Sequence, residues 1–105
     1  MRKKFDILIT KTARLDIEDI YNYISQDSIE NAAKFINEIE KKIYSLQPFP
    51  ERNPTIPENE YFGTSYRHLI FGNYRIIYRI SEKNIFVLRI FHSNSKRLLR
   101  EESFD

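Results

Sequence analysis

Between residues 66 and 92 the apolar pattern of this 105-residue chain alternates with a period of two, and no other stretch limits its folding so strongly. Tyr66-Arg-His-Leu-Ile-Phe71 leads into Gly72-Asn73, a pair suited to a tight hairpin turn. In residues 74–80, Tyr74, Ile76, Tyr78 and Ile80 point one way, while Arg75, Ile77 and Arg79 point the other. Ser81-Glu-Lys-Asn84 makes the next turn. Residues 85–91 are apolar on both faces apart from Arg89, which predicts the most buried strand of the set. His92 closes it, and a polar, basic tail follows. Three strands joined by two short turns make an antiparallel meander.

The period is different upstream. Residues 5–11 are short, partly alternating and β-branched, and predict a first strand. Thr12 stands where an N-cap would. Ala13, Ile17, Ile20, Tyr21 and Ile24 recur at helical spacing, with Asp16, Glu18 and Asp19 in the early turns, where the helix dipole favours negative charge. This helix should end near Ser25. Asp27 and Glu30 form a D-x-x-E capping pattern for a second helix. Its apolar stripe is Ala32, Ala33, Ile36, Ile39, Ile43 and Leu46. The short link between the two makes them antiparallel neighbours. Four prolines within residues 48–57 then end the helix and predict an irregular surface connector. The expected class is α+β: β-α-α-β-β-β in a single domain over residues 1–105, with a helical hairpin on one face of a mainly antiparallel four-stranded sheet. The other face would carry part of the arginine band and serve as the working surface. Strand order stays open at this level.

Composition excludes several functions. There is no cysteine, so disulfide scaffolds and thiolate metal sites are out. The two glycines, Gly63 and Gly72, do not make a phosphate-cradling loop. His68 and His92 are the two imidazoles, and no clustered carboxylates accompany them, so neither a metal nor another cofactor is expected. The start Met-Arg-Lys-Lys precedes an apolar stretch of five residues broken by Asp6, too short for a signal peptide or a membrane span. A soluble cytoplasmic protein is expected. Charge is unevenly spread. Residues 1–50 hold eight basic and eight acidic residues, whereas residues 61–100 hold eight basic residues against Glu82 alone. That concentration suits an anionic partner, either a nucleic acid or an acidic protein segment.

The residues filling this order resemble the RelE/ParE superfamily of bacterial toxins. Ala13-Arg-Leu-Asp-Ile-Glu-Asp-Ile-Tyr-Asn-Tyr-Ile24 is similar to the opening helix of ParE-type members. Asp27-Ser28, Ala32-Ala33, Phe35 and Ile39 resemble their second helix, and Leu46-x-Pro-Phe-Pro-Glu-Arg52 the way it ends. Tyr66-Arg-His-Leu69, Gly72-Asn-Tyr-Arg-Ile-Ile-Tyr78 and Val87-Leu-Arg-Ile-Phe-His92 are similar to the three carboxyl-terminal strands of the superfamily. The resemblance covers residues 5–97 and implies the toxin of a type II toxin–antitoxin pair, with a cognate antitoxin as partner. Two activities occur on this fold. ParE-like members poison DNA gyrase; RelE-like members cut mRNA in the ribosomal A site. The helical hairpin favours the ParE-like branch, with the endoribonuclease as the alternative. A third possibility is a non-toxic binding module that keeps the fold.

Metal-free RNA cleavage would need a base for the 2′-hydroxyl, a cation at the phosphorane and an acid for the leaving oxygen. By resemblance, Arg75 falls where such nucleases place an arginine at the scissile phosphate, and His92 matches a strand-end histidine of the YoeB-like members. Those members follow that histidine with a tyrosine, where this chain has Ser93. Glu51 falls in the connector, where the resemblance places the general base of those members. Arg67 and Arg79 are further candidate contacts to phosphate or antitoxin. So are Lys96 and Arg97 in the tail. His68 reads as surface. Tyr74 and Tyr78 share a face with Ile76 and Ile80 and read as core.

Overall fold

In the computed structural model, which describes residues 4–93, the chain passes from strand to helix at Thr10. Strand β1 spans Asp6–Ile9 and helix α1 Lys11–Ser25. The Thr10 N–H donates to the Val87 carbonyl at 3.1 Å and so prolongs the strand ladder. The Thr10 hydroxyl donates to that carbonyl at 2.9 Å and accepts from the Ala13 N–H at 3.2 Å. Thr10, not Thr12, is therefore the N-cap. Its backbone is still extended, as a cap requires, whereas Thr12 already lies within the helix. The start moves back by two residues, so the first turn of α1 carries no acidic residue and Asp16 turns inward.

Helix α2 spans Ile29–Tyr44, and Ser28 caps it by accepting from the Asn31 N–H at 3.1 Å. The cap falls on Ser28 and not on Asp27 because Ser28 is the extended residue immediately before the helix, at φ −158° and ψ 117°. Ala32, Ile39 and Ile43 are buried, as is Leu46 just beyond the helix. Ala33, expected in the stripe, is exposed, and Ile36 is half-buried. The inward line runs through Phe35 instead, whose ring packs on Phe71 and Tyr74. Positions 32, 35 and 39 advance by three and four residues and stay on one side of the helix, leaving Ala33 and Ile36 on its flank.

The meander consists of β2 (Arg67–Phe71), β3 (Tyr74–Ser81) and β4 (Asn84–His92). Strand order is β1-β4-β3-β2, with β1 parallel to β4 and the other neighbours antiparallel. β4 is thus an interior strand, and residues 87–91 are all buried. The pairing of β3 with β4 carries a bulge: Ile77 faces Arg89 and Tyr78 faces Val87, so Leu88 is extra. The bulge resets the alternation. Val87 and Ile90, three residues apart, both enter the helix-side core with Ala13, Ile20, Ile39, Ile43 and Ile76. Leu88 and Phe91 enter a second core on the opposite side.

That second core corrects the picture of an open arginine face. The connector is not a loose surface loop. It holds a 3₁₀ turn at Pro50–Arg52 and a short helix α3 at Asn59–Phe62. Ile56 is only 2% exposed and packs with Ile77, Leu88 and Phe91, flanked by Phe62 and Tyr66. Apolar Ile77 and Leu88 would otherwise face water, and the connector supplies the area that covers them. The Tyr78 hydroxyl donates to the Pro50 carbonyl and accepts from the Asn53 amide, which anchors the start of the connector. Among the described residues, no helix is long and apolar enough to cross a membrane.

Candidate functional site

Arg75 points from β3 to the connector side of the sheet, above the ring of its cross-strand neighbour Phe91. Its guanidinium makes a bidentate pair with Glu58, Nη1 to Oε2 at 3.0 Å and Nη2 to Oε1 at 3.1 Å. Its Nε–H donates to Nδ1 of His68 at 3.1 Å. An arginine Nε can only donate, so His68 Nδ1 must be unprotonated and the neutral ring carries its hydrogen on Nε2. Burial lowers the His68 pKa below 6.5, and the neighbouring guanidinium adds to the effect. The Arg75 hydrogen bonds hold the Glu58 carboxyl below the ordinary value of 4.5. At neutral pH the trio is therefore a carboxylate, a guanidinium and a neutral imidazole.

Sequence places these three far apart, and folding brings them together in two steps. The β2–β3 hairpin sets His68 opposite Ile77 and Ile70 opposite Arg75, so His68 and Arg75 are near neighbours on one face. Glu58 arrives from the connector, which Ile56 pins on one side. On the other side the Asn59 side chain donates to the Tyr66 carbonyl and accepts from the Tyr66 N–H and the Thr64 hydroxyl. Gly63, at φ 62°, ends α3 in the left-handed conformation that lets the chain turn back toward β2.

His92 lies elsewhere. Its ring meets Tyr74 edge-on, with centroids 5.3 Å apart, on the helix side of the sheet. There it lines a cavity of about 360 Å³ with Asp16, Asp19, Ile20, Tyr23 and Tyr74. Arg75 and His92, the two groups named for RNA cleavage, thus stand on opposite faces. Glu51 is exposed in the 3₁₀ turn and is not part of the trio. Arg67 donates to the Glu51 and Asn53 backbone carbonyls, so its guanidinium ties the connector to β2. Arg79 stacks over Phe86 at 4.1 Å. Lys96 and Arg97 lie outside the described residues. Among the described residues, no group of three or more His, Cys, Asp or Glu side chains could hold a metal ion.

Two residues escaped the sequence reading in their actual roles. Asp16 and Arg89 are the buried charged residues of the described chain, 8% and 9% exposed. Arg89 Nε and Nη2 donate to the Asp16 carboxylate at 2.8 and 3.2 Å, and the Ile90 N–H donates to it at 2.9 Å. Past the end of β1, strand β4 has no strand neighbour on that side. Asp16 accepts the backbone donor that the missing strand would have taken. A lone arginine in an apolar strand, and an aspartate in register with Ala13 and Ile20, were the available signals. His68 and Glu58 gave none, since neither stands in a recognisable spacing.

Compared with known protein families, residues 7–96 match the model of the ParE toxin of the type II toxin–antitoxin system parDE. The chain belongs to the ParE toxin family. It is a toxin of a type II toxin–antitoxin system. Among solved structures, a chain of the chromosomal ParDE TA system from P. aeruginosa has this architecture. It is 22% identical, with a TM-score of 0.68 over 84% of this chain and 95% of that one. Another such chain is in the toxin–antitoxin complex RelBE2 from Mycobacterium tuberculosis. It is 18% identical, with a TM-score of 0.66 over 86% and 99% of the two chains. At these identities the likeness establishes the shared fold. No curated protein sequence matches the chain.

Proposed function

We propose that this ParE-family toxin arrests growth by poisoning DNA gyrase and is neutralised by a cognate antitoxin. The family match over residues 7–96 supports the gyrase reading, as does the helical hairpin. The observation that carries it against the nuclease alternative is geometric. Arg75 and His92 face opposite sides of the sheet, so a phosphate held by one is out of reach of the other. The antitoxin partner rests on the two structural neighbours, both described as toxin–antitoxin systems or complexes. Purified toxin added to gyrase is expected to inhibit supercoiling and to leave cleaved DNA trapped on the enzyme. Unchanged gyrase activity at toxin doses that stop growth would sink this reading.

One observation favours a second reading. The Arg75 guanidinium holds the Glu58 carboxylate on one edge and the His68 imidazole on its Nε–H, so the three groups form one cluster. A ribosome-dependent endoribonuclease could use Glu58 as base and Arg75 as phosphorane clamp, with the neutral His68 orienting the guanidinium. Induction would then cut mRNA in phase with codons, and His68→Ala, rather than His92→Ala, would abolish the cuts. Intact transcripts during growth arrest would remove this option.

A further inference from the structure

We infer that the cavity between α1 and the end of β4 binds a small monovalent organic cation, an alkylated ammonium ion, held by the Asp19 carboxylate against the rings of Tyr23, Tyr74 and His92. The cavity lies on the helix side of the sheet, across from the Arg75 cluster. Its volume of about 360 Å³ falls at the small end of the range in which proteins take up small molecules.

Two elements build it. Asp16, Asp19, Ile20 and Tyr23 recur at helical spacing and share one side of α1. Tyr74, Ile90 and His92 supply the opposite wall, where the start of β3 pairs with the end of β4 and Tyr74 faces His92. Burial is graded from floor to rim. Asp16, Ile20 and Ile90 are buried, Tyr74 and His92 half-buried, and Asp19 and Tyr23 exposed. A ligand entering from solvent therefore meets a carboxylate and a phenol before it reaches the floor.

Charge decides the kind of ligand. Among the described residues, no lysine or arginine lines the cavity. Both Asp16 oxygens already accept from Arg89, so that charge is neutralised from behind the wall. The Asp19 carboxylate makes neither an ion pair nor a hydrogen bond among the described residues. One negative charge is left over. The last turn of α1, which holds Tyr23, carries no basic residue to offset the partial negative charge of the helix end. The rings add attraction of the same sign. Tyr74 and His92 meet at 73° with centroids 5.3 Å apart and make a corner of two aromatic walls. Burial, with the nearby Tyr23 phenol adding to it, pushes the Tyr74 hydroxyl above 10, so the ring stays a neutral phenol. An aromatic corner beside one unpaired carboxylate favours a cation whose charge is spread over alkyl carbon. The same geometry disfavours a metal ion. Asp16, Asp19 and His92 line one cavity, yet among the described residues no three such side chains converge as metal ligands.

The test titrates choline into the full-length toxin and follows its NMR signals, with ionic strength held constant by sodium chloride. Saturable shifts are expected at Asp19, Tyr23, Tyr74 and His92, and not at His68 or Arg75. The neutral isostere of choline, with a tert-butyl group in place of trimethylammonium, should bind about tenfold more weakly. Asp19→Asn should weaken choline binding about fivefold. Glu18→Gln, an equal charge change at an exposed residue outside the cavity, should weaken it by no more than about twofold. Tyr23→Phe keeps the ring and should bind as the parent does, whereas Tyr23→Leu should bind about threefold more weakly. A melting curve confirms folding of each variant, and the Tyr23 pair carries the test if Asp19→Asn fails to fold. Absence of saturable shifts overturns the inference, as does a neutral isostere that binds as tightly as choline. So do equal losses from Asp19→Asn and Glu18→Gln, or displacement of choline by an equal concentration of magnesium chloride. None of these outcomes alters the gyrase assay, so the two proposals fail separately.

Discussion

Arg75 and Arg89 are both strand arginines paired with a carboxylate, and their surroundings give them different work. Arg89 is buried with Asp16, where loss of either partner strands a charge. Arg75 meets Glu58 near the surface, where water still reaches both side chains. His68 makes the Arg75 cluster sensitive to acid. Its pKa is lowered by burial and by Arg75, so the folded state resists a proton that the unfolded chain accepts. Stability is therefore complete above 6.5 and falls as pH drops below 6.5 toward the lowered value. Protonated Nδ1 would also become a donor facing the Arg75 Nε–H. Glu58 acts in the same direction further down, through loss of its charge below 4.5. The melting temperature should decline over the first interval, and His68→Gln, which keeps an acceptor but does not titrate there, should flatten that decline. An unchanged slope in the variant would place the acid sensitivity elsewhere.

Between elements, the Asp16 carboxylate does the job of a strand. It joins α1 to β4 by one backbone and two side-chain hydrogen bonds beyond the last residue of β1. Asp16→Ala should cost about 3–5 kcal/mol, because it leaves both the guanidinium and the Ile90 N–H unpaired in a buried place. Urea denaturation measures this, and Asp16→Leu combined with Arg89→Met should cost less than Asp16→Ala alone. The bulge at Leu88 explains why this link was hidden in the sequence. Strict alternation groups Arg89 with Ile85 and Val87, facing the helices, and only an extra residue turns it to the far side and the edge. The elements themselves were legible, because periods of two and of 3.6 are written in the apolar residues. Their ends were less so. Thr10 and Thr12 are equally good caps by residue type, and what selects Thr10 is its ladder bond to Val87, a partner 77 residues away. The candidate site was half legible. Arg75 lies in a regular strand with a fixed face, whereas Glu58 lies in an irregular connector whose path no periodicity records.

For the molecule as a whole, the connector is the third layer. Sheet topology gives it a surface to cover, and Ile56 is its deepest contact. Ile56→Ala should cost about 2–5 kcal/mol and should expose the connector to limited proteolysis before global unfolding. Protection of the connector equal to that of the parent protein would show that Tyr78 and Arg67 hold it without the apolar contact. The order β1-β4-β3-β2 has one more effect, which concerns synthesis. β4 sits between β1 and β3, yet it emerges from the ribosome after both. Until it does, β1 has no neighbour, Thr10 has no carbonyl to bond, and Asp16 has no arginine. A growing chain that has not reached residue 92 cannot close this sheet, so a cell translating the toxin holds it unfinished for nearly the whole of its production.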